Sequence, residues 1–262
     1  MHGAKPLALV TGASNGIGRE LAALLAERGF DLVATGRSAN INTAAEQFTA
    51  AGAQVEAVQA DLSAPDDVEK VWRAVRDTGR PLEVAAINAG VSLGGAFLDN
   101  DLEQERALLE LNVTSVVHLT KRVATAMTEQ GRGRILITSS ISATLPTPYE
   151  TVYGPSRAFT RMFALGLREE LRGTGVSVTA FLPGATDSDF HARAGMNNTA
   201  FGPSAQKNDK TEVARQGYVA LMAGDAEVVA GDRATKRTGL LNRFLPETFK
   251  AARHARKAKP RD

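Results

Sequence analysis

Short apolar runs alternate with stretches of helical periodicity from one end of the chain to the other. The runs cover residues 7–10, 31–35, 55–60, 84–88, 134–139 and 176–182, and each reads as a strand buried on both faces, as in a parallel sheet. A seventh, shorter strand is expected at 227–230, after a helix at about 211–223. Between the runs, Ile17, Leu21, Leu24 and Leu25 form one apolar stripe. Phe159, Met162, Phe163, Leu167 and Leu171 form another. Such alternation predicts an α/β fold, a parallel sheet with helices on both faces. No linker, repeat or low-complexity segment interrupts residues 1–232, which read as a single domain. Residues 195–209 are polar and rich in Asn, Gly and Pro, and read as a mobile loop. Phe190-His191-Ala192-Arg193 is expected to form a lid helix.

Composition narrows the function. A chain of 262 residues, 43% hydrophobic and 23% charged, suits one large domain and is short for two. No apolar run approaches the roughly 20 residues of a membrane span. Met1-His2-Gly3-Ala4-Lys5-Pro6 lacks the apolar stretch and cleavage site of a secretory signal, so a cytoplasmic location is expected. With no cysteine, disulfide scaffolds, thiol nucleophiles and cysteine metal sites are excluded. His2, His118, His191 and His254 are far apart and lack ligand spacing, so no catalytic metal is expected; His118 reads as packed or interfacial.

The net charge of +2 conceals an asymmetry: residues 1–232 carry 21 basic and 27 acidic side chains, residues 233–262 carry 10 and 2. A basic end can attract nucleic acid or anionic lipid. No stacking aromatics accompany the final basic run, so 233–262 reads instead as a helix and tail packed on, or extending from, the domain. Leu240, Leu241, Phe244 and Leu245, at helical spacing, predict docking through an apolar face.

The first strand runs directly into Thr11-Gly12-Ala13-Ser14-Asn15-Gly16-Ile17-Gly18, which opens the first helix. Glycines there allow a tight turn and let a pyrophosphate approach the backbone, where helix N–H groups and the helix dipole favour negative charge. The second strand ends in Thr35-Gly36-Arg37-Ser38. NAD-selective sites usually carry a carboxylate there for the ribose 2′-hydroxyl; none is present, and Asp31 lies at the opposite end of the strand. Arg37 can instead pair with a 2′-phosphate, which favours NADP (NADPH over NADH).

Over nearly its whole length the chain resembles the short-chain dehydrogenase/reductase family. The turn from Gly12 through Ser14, Asn15, Gly16, Ile17 and Gly18 matches the family's cofactor motif. Asp61-Leu62 matches the pair that contacts adenine, and Asn88-Ala89-Gly90 the motif ending the fourth strand. Asn112 falls at the active-site asparagine, and Ser140 precedes Tyr153 by the thirteen residues that separate the catalytic serine and tyrosine. Pro183-Gly184 and Thr186 match the segment closing over the nicotinamide. The resemblance implies a Rossmann-type doubly wound parallel sheet of about seven strands. It also implies homodimers or homotetramers built through long helices around 112–127 and 153–172.

One departure stands at the site: four residues after Tyr153 the family has lysine, and this chain has Arg157. The spacing still places both side chains on one helix face, and Pro155 is tolerable in a first helical turn. Tyr149, a competing tyrosine, is only nine residues after Ser140 and has Tyr153, not a cation, at its i+4 position. The resemblance implies carbonyl reduction in which the nicotinamide delivers hydride, Tyr153 gives a proton and Ser140 holds the carbonyl oxygen, with Tyr153 and Arg157 also contacting the cofactor. Bringing a tyrosine from about 10 to about 7 takes roughly 4 kcal/mol of phenolate stabilisation, and Arg157 supplies a field of the right sign. Its guanidinium is longer and planar, and does not deprotonate, so cofactor binding with slowed or narrowed catalysis is expected. Asn112 is expected to shape the helix bend more than to react.

The expected pocket wall is Ser92, Leu93 and Gly94, residues 142–149 and the loop after Thr186. With Asp187 and Asp189 as its anionic pair, it suits a small neutral ketone, aldehyde or secondary alcohol. The competing reading is a catalytically impaired NADP(H)-binding protein with a regulatory or scaffold role, marked by Arg157.

Overall fold

The computed structural model describes residues 5–202 and 205–260. Of the features read from the sequence, the segment 1–4 with His2, Pro203 and Ser204 of the polar loop, and Arg261 lie outside the described residues.

Seven parallel strands form one sheet: β1 (Leu7–Thr11), β2 (Asp31–Gly36), β3 (Val55–Gln59), β4 (Leu82–Ile87), β5 (Gly133–Thr138), β6 (Val176–Pro183) and β7 (Glu227–Ala230), in the order β3-β2-β1-β4-β5-β6-β7. Side chains alternate along each strand, so each central strand feeds two cores. Leu7, Leu9, Ala85, Ile87, Ile135 and Ile137 face one layer, made by α3 (Pro65–Asp77), α5 (Ser115–Glu129) and α6 (Tyr153–Glu170). Ala8, Val10, Val84, Ala86 and Leu136 face the other, made by α1 (Gly16–Glu27), α2 (Asn40–Ala50) and α8 (Lys210–Ala223). Double burial is what makes these strands apolar at most positions. It does not extend to β3 and β7, which are only partly buried because each forms an edge of the sheet.

Between β4 and α5, α4 (Leu102–Leu109) continues into one π-helical stretch, Glu110–Thr114, which carries Asn112. Two short helices complete the chain around the site: a 3₁₀ turn, Ile141–Thr144, after β5, and α7 (Phe190–Arg193) after β6. No helix among the described residues is long and apolar enough to cross a membrane.

Two helix faces differ from the sequence expectation. On α6, Phe159 and Met162 point to solvent, while Tyr153, Gly154, Ser156, Arg157, Thr160 and Ala164 are buried. Residues 233–258 form α9 (Arg233–Leu241) and α10 (Glu247–Ala258), but Leu240, Leu241 and Phe244 face outward, Phe244 with 79% exposure. The segment docks through polar groups instead. Buried Lys250 gives its ammonium protons to the Thr144 carbonyl, the Asn242 carbonyl and the Glu247 carboxylate, and Asn242 Nδ2 bonds Thr144 Oγ1 at 2.8 Å. A fully satisfied buried ammonium of this kind does the docking that an apolar stripe was expected to do.

Candidate active site

The strand order reverses direction between β1 and β4, and at that switch point the carboxyl ends of the strands open into a cavity of about 1080 Å3. Its floor is fastened by side chains from three adjacent strand ends. Thr11 Oγ1 accepts from the Asn88 and Ala89 amides at 2.8 and 2.9 Å, Asn88 Nδ2 returns a bond to the Thr11 carbonyl, and Thr138 Oγ1 bonds Asn88 Oδ1. This fixes Asn88-Ala89-Gly90 beside the glycine turn. A side chain at Gly18 would drive into the Gly12 carbonyl and the Asn88 amide, so glycine is required there by close approach.

Gly12, Ser14, Asn15, Gly16, Ile17 and Gly18 all line the cavity, as do Arg37, Asp61, Leu62, Asn88, Ala89, Gly90, Pro183, Gly184 and Thr186. Asn15 occupies the N-cap of α1 without a side-chain cap bond, and Ser14 Oγ is buried with no hydrogen-bond partner. Open first-turn N–H groups and an unpaired hydroxyl are what a dinucleotide pyrophosphate would satisfy, so the residues present fit such a cofactor. Asp31, at the far end of β2, is bound to Arg80 at 2.9 Å and takes no part.

At the other end of the cavity stand Ser140, Tyr153 and Arg157. Ser140 follows β5 and caps the 3₁₀ turn by accepting from the Ser142 amide at 3.1 Å. Tyr153 opens α6, and Arg157, one turn later, stacks its guanidinium 5.3 Å from the Tyr153 ring centre. Pro155 sits in that first turn, where its missing N–H breaks no helical bond. Arg157 Nη1 donates to the Thr138 carbonyl at 3.2 Å, Nη2 to Asn112 Oδ1 at 3.4 Å, and buried Nε is unpaired. The guanidinium lies against Gly90, where any side chain would collide with it.

Tyr153 does not show the expected fall in pKa. Burial pushes the phenol above its ordinary value, and the Arg157 charge pulls it down without cancelling that; Glu150 adds a further upward push, and hydrogen bonding to Ser140 and Arg157 a downward one. Desolvation therefore outweighs the cation in the protein alone.

Asn112 is brought near Arg157 but is not on the cavity wall. It is fully buried, accepts from the Val91 amide at 3.0 Å, and donates to the Val91 carbonyl at 2.8 Å and to Ser156 Oγ at 3.1 Å. Tyr149, at φ +67°, also stays off the wall, packed with Ala194, Met196 and Ala258. His118 pairs with Glu69 at 2.6 Å, away from the cavity.

The substrate end differs in its charges from the sequence reading. Asp187 and Asp189 are exposed and do not line the cavity. The carboxylate near Tyr153 is Glu150, 4% exposed, which accepts from Ser92 Oγ at 2.8 Å and lies 3.2 Å from His254 Nε2 of α10. Phe190 meets the Tyr153 ring at 5.7 Å between centres, and Phe201 stands between His191 and His254. Glu150 was within reach of sequence reasoning, three residues before Tyr153 and one turn away. His254 was not, because nothing local links it to a site a hundred residues earlier. Among the described residues no three His, Asp or Glu side chains converge as a metal site.

Comparisons with known proteins agree with this geometry. Residues 6–198 match the short chain dehydrogenase family. An uncharacterised oxidoreductase of Myxococcus xanthus is 35% identical over 224 residues, 84% of this chain and 85% of that one. Among solved structures, a short-chain dehydrogenase from Sphingobium yanoikuyae in complex with NADPH superposes with a TM-score of 0.81 at 29% identity, covering 92% of this chain and 96% of the other. A bulky-bulky ketone specific alcohol dehydrogenase from Comamonas testosteroni superposes with a TM-score of 0.79 at 26% identity, covering 92% of both chains.

Proposed function

The chain belongs to the short chain dehydrogenase family and is an oxidoreductase of that type, and from this premise we propose that it is an NADP(H)-dependent carbonyl reductase or alcohol dehydrogenase with arginine in the lysine position. The observation that carries the reading is the convergence of Ser140, Tyr153 and Arg157 on one end of a cavity whose other end is the glycine turn. When bound, the reduced nicotinamide supplies the hydride. Ser140 Oγ donates a hydrogen bond to the carbonyl oxygen and keeps it in register with the Tyr153 hydroxyl, which gives up its proton as the oxygen gains charge. Arg157 opposes the cost that burial places on the phenolate so formed. It keeps its own protons, so Tyr153 is reprotonated by other groups.

NADP over NAD is supported by Arg37 at the end of β2, by the absence of a carboxylate there, and by the NADPH held by the Sphingobium relative. A small neutral ketone, aldehyde or secondary alcohol suits the wall made by Ser92, Leu93, Ser142, Leu145 and Phe190. The Comamonas relative's ketone specificity points the same way. We place the protein in the cytoplasm as a homodimer or homotetramer, with residues 1–232 as its catalytic domain and 233–262 as a basic C-terminal helix and tail packed on or extending from it.

The alternative, an NADP(H)-binding protein without turnover, draws on one observation: the Arg157 guanidinium already holds protein partners, Thr138 through Nη1 and Asn112 through Nη2. Comparing the protein with Tyr153→Phe separates the two. The enzyme reading expects NADPH oxidation with at least one ketone or aldehyde, lost at least 100-fold in Tyr153→Phe with NADPH affinity unchanged. Turnover indifferent to Tyr153→Phe, or tight NADPH binding with no turnover across a broad carbonyl panel, contradicts it.

A further inference from the structure

The pyrophosphate end of the site has hydrogen-bond donors but no cation of its own. Thr11 to Gly18 contains neither Lys nor Arg, and Arg19, the first cation beyond it, is bonded to Gln47 on α2. A dinucleotide brings two negative charges to that turn; the backbone N–H groups and the helix dipole favour them, and a cation from another element would add charge-assisted bonds.

The element that approaches is the segment after β6. Ser188 lies over the turn: a Cβ on Gly16 would be 3.6 Å from the Ser188 Cβ. From α7, Arg193 reaches to the N-cap of α1. With the Asn15 amide in the orientation its neighbours require, its oxygen accepts from Arg193 Nη1 at 3.0 Å and Nη2 at 3.2 Å. The same guanidinium is tethered within the lid by Asp189, 3.3 Å away and four residues earlier, and it lines the cavity. The other end of α7 carries Phe190 against the Tyr153 ring. One short helix thus touches both the pyrophosphate turn and the tyrosine.

We propose that Arg193 is a cofactor-binding residue that exchanges Asn15 for the pyrophosphate, so that the dinucleotide itself fastens α7 over the site. The inference rests on the dinucleotide reading above. The chemistry favours the exchange: a neutral amide oxygen is a weaker acceptor for a two-pronged guanidinium than a phosphate, which takes paired, charge-assisted bonds. Because the guanidinium already points at the turn, little rearrangement is needed.

The test is titration of the full-length protein, of Arg193→Ala and of Arg193→Lys with two ligands, NADPH and adenosine 2′-monophosphate. The second keeps the adenine end and the 2′-phosphate but has no phosphate on the 5′ side, so nothing of the pyrophosphate remains. The expected result is NADPH binding weakened about tenfold in Arg193→Ala and partly restored in Arg193→Lys, with adenosine 2′-monophosphate bound equally by all three. Unchanged NADPH affinity in Arg193→Ala overturns the proposal, as does equal weakening of both ligands, which would mark a general electrostatic effect. A wild-type protein that binds neither ligand would instead bring down the cofactor reading on which the proposal stands. Arg193 is largely exposed, its side chain at 59%, so neither variant threatens the fold.

Discussion

At the scale of single residues, the contest at Tyr153 is between burial and charge. A phenol on a wall this dry resists ionisation, and a guanidinium 5.3 Å from its ring centre only partly offsets that. The cofactor-free protein should therefore show one of its three tyrosines titrating above the ordinary value of about 10. Tyrosinate absorbance of the wild type minus that of Tyr153→Phe isolates it, and Arg157→Leu should move it higher still. A raised folded value means that Tyr153 favours folding below the unfolded value and that this contribution is lost as pH rises through the folded one, so alkaline stability should fall less in Tyr153→Phe. A Tyr153 signal at or below 10 would contradict the account. Ser140, Tyr153 and Arg157 were picked out through the resemblance to the family, and the structure brings the three together on one cavity wall. Glu150 was legible in principle, while the proximity of His254 depends on how α10 docks.

At the scale of elements, the strands were readable to within two residues, and for the five central ones the reason is burial on both faces, which favours nearly continuous apolar runs. Helix faces were less readable. Hydrophobic spacing on α6 and α9 identified an apolar side, but α6 is held by Gly154, Ser156, Thr160 and Ala164, and α9 and α10 by Asn242 and Lys250. Small side chains allow close approach and polar ones satisfy backbone carbonyls, and neither stands out in a periodicity search. Asn112 was expected to shape the helix bend, and its bonds hold the π-helical stretch to Val91. Asn112→Ala should leave the half-buried Val91 N–H and carbonyl without their side-chain partner, at a cost of about 1–3 kcal/mol in urea unfolding. A loss below about 0.5 kcal/mol would show that water or backbone shifts replace those bonds.

At the scale of the whole molecule, what the fold leaves uncovered becomes informative. Phe159 and Met162 on α6 and Val117 on α5 are exposed at 42%, 63% and 37%, on the two helices through which the family's assemblies were expected to form. If the proposed oligomer uses this face, Met162→Lys combined with Phe159→Lys should reduce the solution mass measured by light scattering to that of one 27.7 kDa chain, with folding intact. An oligomer that survives both substitutions would place the interface elsewhere. The C-terminal segment belongs to the same scale. Its positive charge read as a separate property of the chain end, yet Arg253, His254 and Lys257 line the cavity. Only the folded arrangement reveals that, because the segment meets Thr144 and Glu150 after β5 and residues 200–201 after β6, up to 106 residues away in sequence.

Whether Arg157 serves where the family has lysine is decided by steady-state NADPH oxidation over a ketone and aldehyde panel, wild type beside Arg157→Lys. Measurable turnover by the wild type that depends on Tyr153 is expected, with Arg157→Lys changing its rate and leaving its existence untouched. Silence from the wild type alongside turnover by Arg157→Lys would contradict that expectation, and would mark the protein as a dinucleotide-binding scaffold whose catalysis is disabled at one position.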